Sequence, residues 1–305
     1  MNLPVTTRVV VYSVWCLVFA LLLLLSGSAV AQQNSAWKPV EDAMGRPGTM
    51  MGDVLRFGMP RKDLHVLVRG TAIKPGLALG SWAAFKKMGD QAMVMGDLVL
   101  TEDEIEPVMR KLQEGGIEIA AIHNHLIGEQ PRVLYMHIES QGDAVKMAMA
   151  IHDALALSKT PGPDAPGTTA SNELSGIDQK KIEAELGRSG KVNGGILAFG
   201  VPRAETITDE AMVVPPSMGV GTAINFQPTG DGKAAITGDF VLLGKEVNPV
   251  MRALREHGID VTAVHSHMLT EEPRLFFMHF WANDDAGKLA KGLRAALDLT
   301  NSAKQ

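Results

Sequence analysis

Most of this 305-residue chain is written twice, and that duplication limits what it can fold into more than any other feature. One offset, 142 residues, aligns the two halves. Phe57-Gly58-Met59-Pro60-Arg61 returns as Phe199-Gly200-Val201-Pro202-Arg203, and Gly96-Asp97 returns as Gly238-Asp239. Pro107-Val108-Met109-Arg110 returns as Pro249-Val250-Met251-Arg252. Residues 96–157 and 238–299 share 28 identities in 62 positions, about 45%. Between the copies lies a Pro/Gly-rich stretch, Ser158 to Gly167, which reads as a linker.

Periodicity gives each copy a coarse outline. A short helix near Val40–Met44 (Ile182–Leu186 in copy two) precedes the Phe-Gly-x-Pro-Arg segment. Strand candidates follow at Leu64–Arg69, Leu77–Phe85 and Ala92–Leu100. Thr101 with Glu104 three residues on is a capping-box signature for a helix over Glu104–Glu114, which Gly115-Gly116 ends. Ile117–Leu126 and Val133–Glu139 read as paired strands around a turn at Gly128–Pro131. Asp143–Leu157 carries apolar residues at helical spacing. The fold class expected is α+β, with two tandem homologous domains, each a mainly antiparallel sheet with helices packed on it. The domain boundaries expected are a leader over 1–31, a first repeat over 36–157, a linker over 158–175 and a second repeat over 176–301. Two copies in one chain suggest a pseudo-twofold pair, by analogy with symmetric dimers.

The N-terminus predicts export. Arg8 is followed by an apolar run from Val9 to Leu25, then by small residues and Ala29-Val30-Ala31. This is the pattern of a signal peptide cut after Ala31, which would leave a periplasmic or secreted protein with no stable membrane insertion. The alternative is an uncleaved anchor. Cys16, the single cysteine, sits inside the apolar run, so intrachain disulfides and thiolate metal clusters are excluded. A formal net charge of −5 makes a nucleic-acid partner a poor expectation.

The histidines carry the chemistry. Copy one reads His123-Asn124-His125, then Glu129, Pro131-Arg132 and His137; copy two reads His265-Ser266-His267, then Glu271, Pro273-Arg274 and His279. His-x-His on a strand puts both imidazoles on one face. A hairpin centred on Gln130 would set His123 opposite His137, with Cβ atoms about 4.5–5.5 Å apart. His125 would lie diagonally on the same face, with Glu129 at the turn. Three imidazoles and a carboxylate suit a divalent transition metal, Zn, Mn, Fe, Ni or Cu. Glu129 and Glu271 would be fourth ligands or general bases. Six of the nine histidines belong to the motif; the other three have no counterpart, since His65 faces Ile207, His152 faces Arg294 and His257 faces Gly115. The competing readings are a metal-free polar cleft and histidines that are merely packed.

The spacing His-x-His-x3-Glu is similar to the first metal motif of cupins. Here the later histidine follows Glu129 after only eight residues, and the flanking helices do not suit a double-stranded β-helix, so the likeness is one of ligand spacing. The duplicated unit, with its His-x-His, Pro-Arg and Met136-His137 or Met278-His279, resembles the LppY/LpqO family, exported bacterial proteins or lipoproteins with a domain of unknown function. The resemblance runs from about Trp37 to Leu299 and implies an envelope location and no particular activity.

Arginines at 61/203, 110/252 and 132/274 recur in both copies. Their guanidinium forks could bind an anionic substrate, and Arg132 and Arg274 are the best placed, beside the histidines. Gly96-Asp97 and Gly238-Asp239 read as strand bends. No phosphate-binding glycine loop and no Gly-x-Ser-x-Gly elbow is present. Three functions follow: a metal-dependent hydrolase of unknown substrate, a non-enzymatic metal-binding or scavenging protein, or an envelope interaction module. The partner expected is a small molecule or an envelope component.

Overall fold

The computed structural model describes residues 36–163 and 173–304, so the expected leader and part of the expected linker lie outside the described residues. The first repeat opens with helix α1 (36–44), β1 (Thr49–Met51) and β2 (Val54–Pro60). It continues with β3 (Leu67–Val68), β4 (Thr71–Ala72), the single-turn helix α2 (Pro75–Ala78), β5 (Gly80–Met88) and β6 (Gln91–Thr101). Then come α3 (Glu102–Glu114), β7 (Glu118–His123), β8 (Glu129–Gln130), β9 (Val133–Gly142) and α4 (Ala144–Leu155). The second repeat opens with α5 (Gln179–Leu186), β10 (Lys191–Asn193) and β11 (Ile196–Val201). Next are β12 (Thr208–Asp209), β13 (Met212–Val213), a 3-10 turn (Pro216–Met218), β14 (Thr222–Gly230) and β15 (Lys233–Leu243). It closes with α6 (Gly244–Glu256), β16 (Asp260–His265), β17 (Leu275–Asp285) and α7 (Ala286–Leu297).

Each repeat forms one six-stranded sheet, in the order β1-β2-β5-β6-β9-β7 and β10-β11-β14-β15-β17-β16. Every pairing is antiparallel. The two orders are the same order, as duplication requires, and the α+β expectation holds.

Two local expectations change. The strand expected over Leu64–Arg69 shortens to Leu67–Val68, paired to β4 and β8. The strand expected from Leu77 begins only at Gly80, because Pro75 opens a helical turn first; proline's fixed φ suits a first helical position.

Side-chain alternation divides each sheet into two faces. In β6 and β9, Val94, Leu98, Met136 and Ile138 pack with Val108 and Leu112 of α3 and Ile151 of α4. The second repeat repeats this core with Phe240, Met278, Phe280, Val250 and Leu293. The residues between them, Met95, Asp97, Val99, Tyr135 and His137, point away from the helices. That inner face meets the inner face of the other repeat. Two apolar clusters span the join: one combines Met93 and Met95 with Met218, Val220 and Phe277, the other Leu77, Val99 and Tyr135 with Ile196 and Trp281. The layers therefore run helices, sheet, sheet, helices. β6 is covered on both sides, which explains its nearly unbroken apolar run.

Gly96 and Gly238 serve close strand approach. A Cβ at Gly238 would stand 1.9 Å from the Ala223 carbonyl oxygen, and one at Gly96 2.7 Å from that of Trp82. Neighbouring hydroxyls confirm the equivalence: Ser81 accepts the Val99 N–H at 2.8 Å and Thr222 accepts the Val241 N–H at 2.9 Å. The offset between copies drops to 141 there.

The recurrent arginine of Phe-Gly-x-Pro-Arg is a fold anchor. Arg61 is fully buried and donates to Val99 O at 2.7 Å, to both oxygens of Glu104 at 2.7 and 3.1 Å, and to Asp63. Glu104 in turn accepts the backbone N–H of Thr101, the expected capping bond, and that of Lys159. Arg203 repeats the pattern with Val241 O, Glu246 and Glu205. One residue thus ties sheet, helix start and chain exit together. Arg61→Met leaves the buried Glu104 without its counter-charge, and removing one partner of a buried pair costs about 3–5 kcal/mol. Urea unfolding should show that loss, and a change under about 1 kcal/mol, the worth of a surface pair, would refute the anchor role.

Candidate metal centre

The inner faces place all six motif histidines in one cluster on the pseudo-twofold axis. His123 and His265, equivalent residues, stack on each other with ring centroids 3.5 Å apart. His125 lies between Tyr135 of its own repeat (3.4 Å) and His279 of the other (3.6 Å). Its image holds too: His267 lies between Phe277 (3.5 Å) and His137 (3.8 Å).

The hairpin that brings them together differs in register from the expectation. His123 pairs with Tyr135, and His137 with Ala121, after an irregularity between Ile119 and Ala121. A shift by two residues keeps side-chain parity, so His123 and His137 still share the inner face. Their rings are 4.9 Å apart, as are those of His265 and His279.

Hydrogen bonds set the ring tautomers. The Nδ1 atoms of His123, His265 and His279 lie 3.1, 3.1 and 2.9 Å from the carbonyl oxygens of Asn124, Ser266 and Gly238. A carbonyl only accepts, so Nδ1 carries the proton and Nε2 the lone pair. All six Nε2 atoms are buried without a hydrogen-bond partner. Backbone-anchored Nδ1–H with a free inward Nε2 is how metal-ligating histidines are held. Two groups set their ligand atoms within 4.8 Å of one another and could hold a metal ion: His123, His125 and His137, and His123 with His265, His267 and His279.

Two aspartates border the cluster that sequence reasoning assigned to strand bends. Asp97 pairs across the sheet with His137, and Asp239 with His279. Asp97 oxygens lie 3.8 and 3.9 Å from His125 and His137, and Asp239 oxygens 3.4 and 3.9 Å from His267 and His279. One oxygen of each, Oδ1, is buried and unpartnered. The sequence signal was an acid repeated at the same offset inside an otherwise apolar strand.

The surroundings are dry, and ionisation responds to that. Burial pushes Asp97 up to about 8, and Asp239 well above the usual carboxylate range, where Asp97 adds repulsion. Burial lowers His123 to about 4 and His265 to about 3, and holds the other four well below the ordinary value. Six neutral imidazoles are the ligand form. Beside them Glu139 is pushed up to about 7, by burial first and then by Asp209.

The remaining site candidates stand at the turns. Neither Glu129 nor Glu271 is in the close-set groups. Glu129 is buried on β8, paired with Val68. Glu271 accepts the Leu275 N–H at 2.9 Å and an Arg274 donor at 3.1 Å. Arg274 also donates to the Leu269 carbonyl and to Ser266 Oγ. Arg132 is exposed and reaches Glu102 at 3.4 Å.

Fold and site together define a duplicated α+β protein whose repeats share one buried histidine centre. The chain belongs to the family DUF1529, described as Domain of Unknown Function (DUF1259), which matches residues 38–157 and again 180–299. No curated protein matches the chain. Similar solved structures include a trimeric bacterial microcompartment shell protein, PduB, at 13% identity and TM-score 0.21, covering 83% of this chain and 89% of that one. EtuB from Clostridium kluyveri is 10% identical at TM-score 0.20, covering 83% and 88%. Likeness at these scores carries no argument about this chain.

The lowered histidine values predict acid lability of the metal-free protein. An unfolded histidine takes a proton below about 6.5, while folded His123 refuses it until about 4 and His265 until about 3. Stability is therefore present above pH 6.5 and lost as pH falls, at up to about 1.4 kcal/mol per pH unit per histidine. Asp97 and Asp239 act in the opposite direction and offset part of it. Denaturant melts from pH 7 to 4.5 should show the loss, smaller in His123→Asn/His265→Asn. A flat profile would mean the rings protonate freely.

Proposed function

We propose that this chain is an exported metalloprotein in which the two repeats jointly hold a divalent transition metal, Zn, Mn, Fe, Ni or Cu. The observation that carries the reading is six buried, unpartnered Nε2 atoms in one cluster, in two groups whose ligand atoms lie within 4.8 Å of one another, with an unpartnered oxygen of Asp97 and of Asp239 beside them. Imidazole is a ligand common to those metals, and the backbone-anchored tautomers favour binding without rearrangement. A bound ion would supply Lewis acidity, which suits hydrolysis of a small substrate. His123 and His265 bridge the repeats, and Asp97 and Asp239 steady the flanking rings. We assign Glu271 with Arg274, and the buried Glu129 on β8, to holding the two turns rather than to ligation or substrate binding. Export rests on the leader over 1–31 and on the LppY/LpqO resemblance; among the described residues no helix is long and apolar enough to cross a membrane.

The enclosure of the cluster favours a second reading, a non-enzymatic envelope module that stores or is stabilised by its metal. Turnover of simple ester or phosphate substrates by the loaded protein separates the two.

The primary test is elemental analysis of residues 32–305, purified without tag or chelator, beside His123→Ala/His265→Ala. About one or two ions per chain are expected, given three or four ligands per ion, and the double variant should lose them. No metal in the parent protein, even after incubation with salts of all five metals, would end the proposal.

A further inference from the structure

A small recess borders the histidine cluster. Met95, His137 and Glu139 of the first repeat and Met218, Val220 and His267 of the second are among its walls. It has room for about one water-sized molecule. It ends on the His137–His267 pair. The pseudo-twofold image of this place, at His279 and His125, has different walls. There Trp281 occupies the position of Glu139, and Leu77 and Leu79 those of Met218 and Val220, all within one buried apolar cluster. The repeats match in their imidazoles and differ in the residue beside them, Glu139 in one and Trp281 in the other.

Glu139 is the charged side chain of the recess. It is 9% exposed. One oxygen takes the backbone N–H of Leu269, while Oε2 is buried without a partner. Asp209, Glu118 and Glu271 add negative charge around it. An unpartnered buried carboxylate oxygen in a negative surround, two residues from His137 on the same face of β9, is a resting place for a cation.

We propose that a divalent cation reaches the cluster through this recess and that Glu139 is the transient ligand that passes it to His137 and His267. The inference rests on the metal-binding reading above. It differs from that reading in concerning the rate of loading rather than the amount held.

The test follows zinc uptake by the metal-free full-length protein in stopped flow, and release to a chelator, for wild type, Glu139→Gln and Glu139→Trp. The tryptophan variant copies the second repeat, where Trp281 stands at this position. Both variants should reach the wild-type zinc content, with loading slowed about tenfold or more, the scale of electrostatic steering; Glu139→Trp should also slow release. Wild-type rates in Glu139→Trp overturn the route, and wild-type rates in Glu139→Gln overturn the role of the carboxylate. A wild-type protein that takes up no zinc, nor Mn, Fe, Ni or Cu in equilibrium dialysis, overturns the metal reading itself, which is a separate result.

Discussion

The structure depends on a layer of polar atoms buried between two apolar joints. Six imidazole nitrogens and two aspartate oxygens sit between the Met95–Phe277 cluster and the Leu77–Trp281 cluster without hydrogen-bond partners. A buried polar atom left unsatisfied costs about 1–3 kcal/mol. Eight of them rival the whole stability of an ordinary domain, about 5–15 kcal/mol. Apolar residues at those positions would pack the sheets together more cheaply. The proposed metal would give the arrangement its physical sense, as a preformed ligand shell whose cost binding to the folded state would offset.

Duplication explains where that shell sits. Each repeat alone presents three histidines on a sheet face that would otherwise meet water. Packing two copies about a pseudo-twofold axis puts His123 against its own image, His265, and slots each outer ring between an aromatic of its own repeat and a histidine of the other. The interface is then self-complementary, as in a symmetric dimer, but a covalent link frees the halves to diverge. Glu139 in one repeat where the other has Trp281 is the result of that freedom: the same histidines, with a carboxylate beside one set and an indole beside the other.

Much of this was legible in the sequence. The repeat fixed the domain count, and alternation on the strands put the histidines on one face even though the hairpin register is two residues from the symmetric guess. Parity survives such a shift, so the face was right while the pairing partner was not. The meeting of the two histidine sets could not be read, because nothing in a strand's pattern says which neighbouring face will cover it. Asp97 and Asp239 were hidden by their context: a single acid after glycine looks like a bend. Arg61 and Arg203 stood out as repeated charges, and only their burial beside Glu104 and Glu246 shows that they hold the fold.

Charge separates a structural role for the histidines from a ligand role. Neutral imidazoles contribute no net charge, so a histidine cluster kept only for packing would have no need of acids beside it. A buried acid must keep its proton or be balanced by a positive charge, and either is a cost that packing alone does not require. Yet each repeat sets one aspartate within 4 Å of two of its own rings, at equivalent strand positions. Burial holds both acids toward their protonated form in the metal-free protein; a divalent cation that displaced both protons would meet two carboxylates matching its charge, while the rings supplied nitrogens without adding to it. A single shared ion on the axis would balance those two carboxylates, whereas one ion in each repeat would carry more positive charge than they offset.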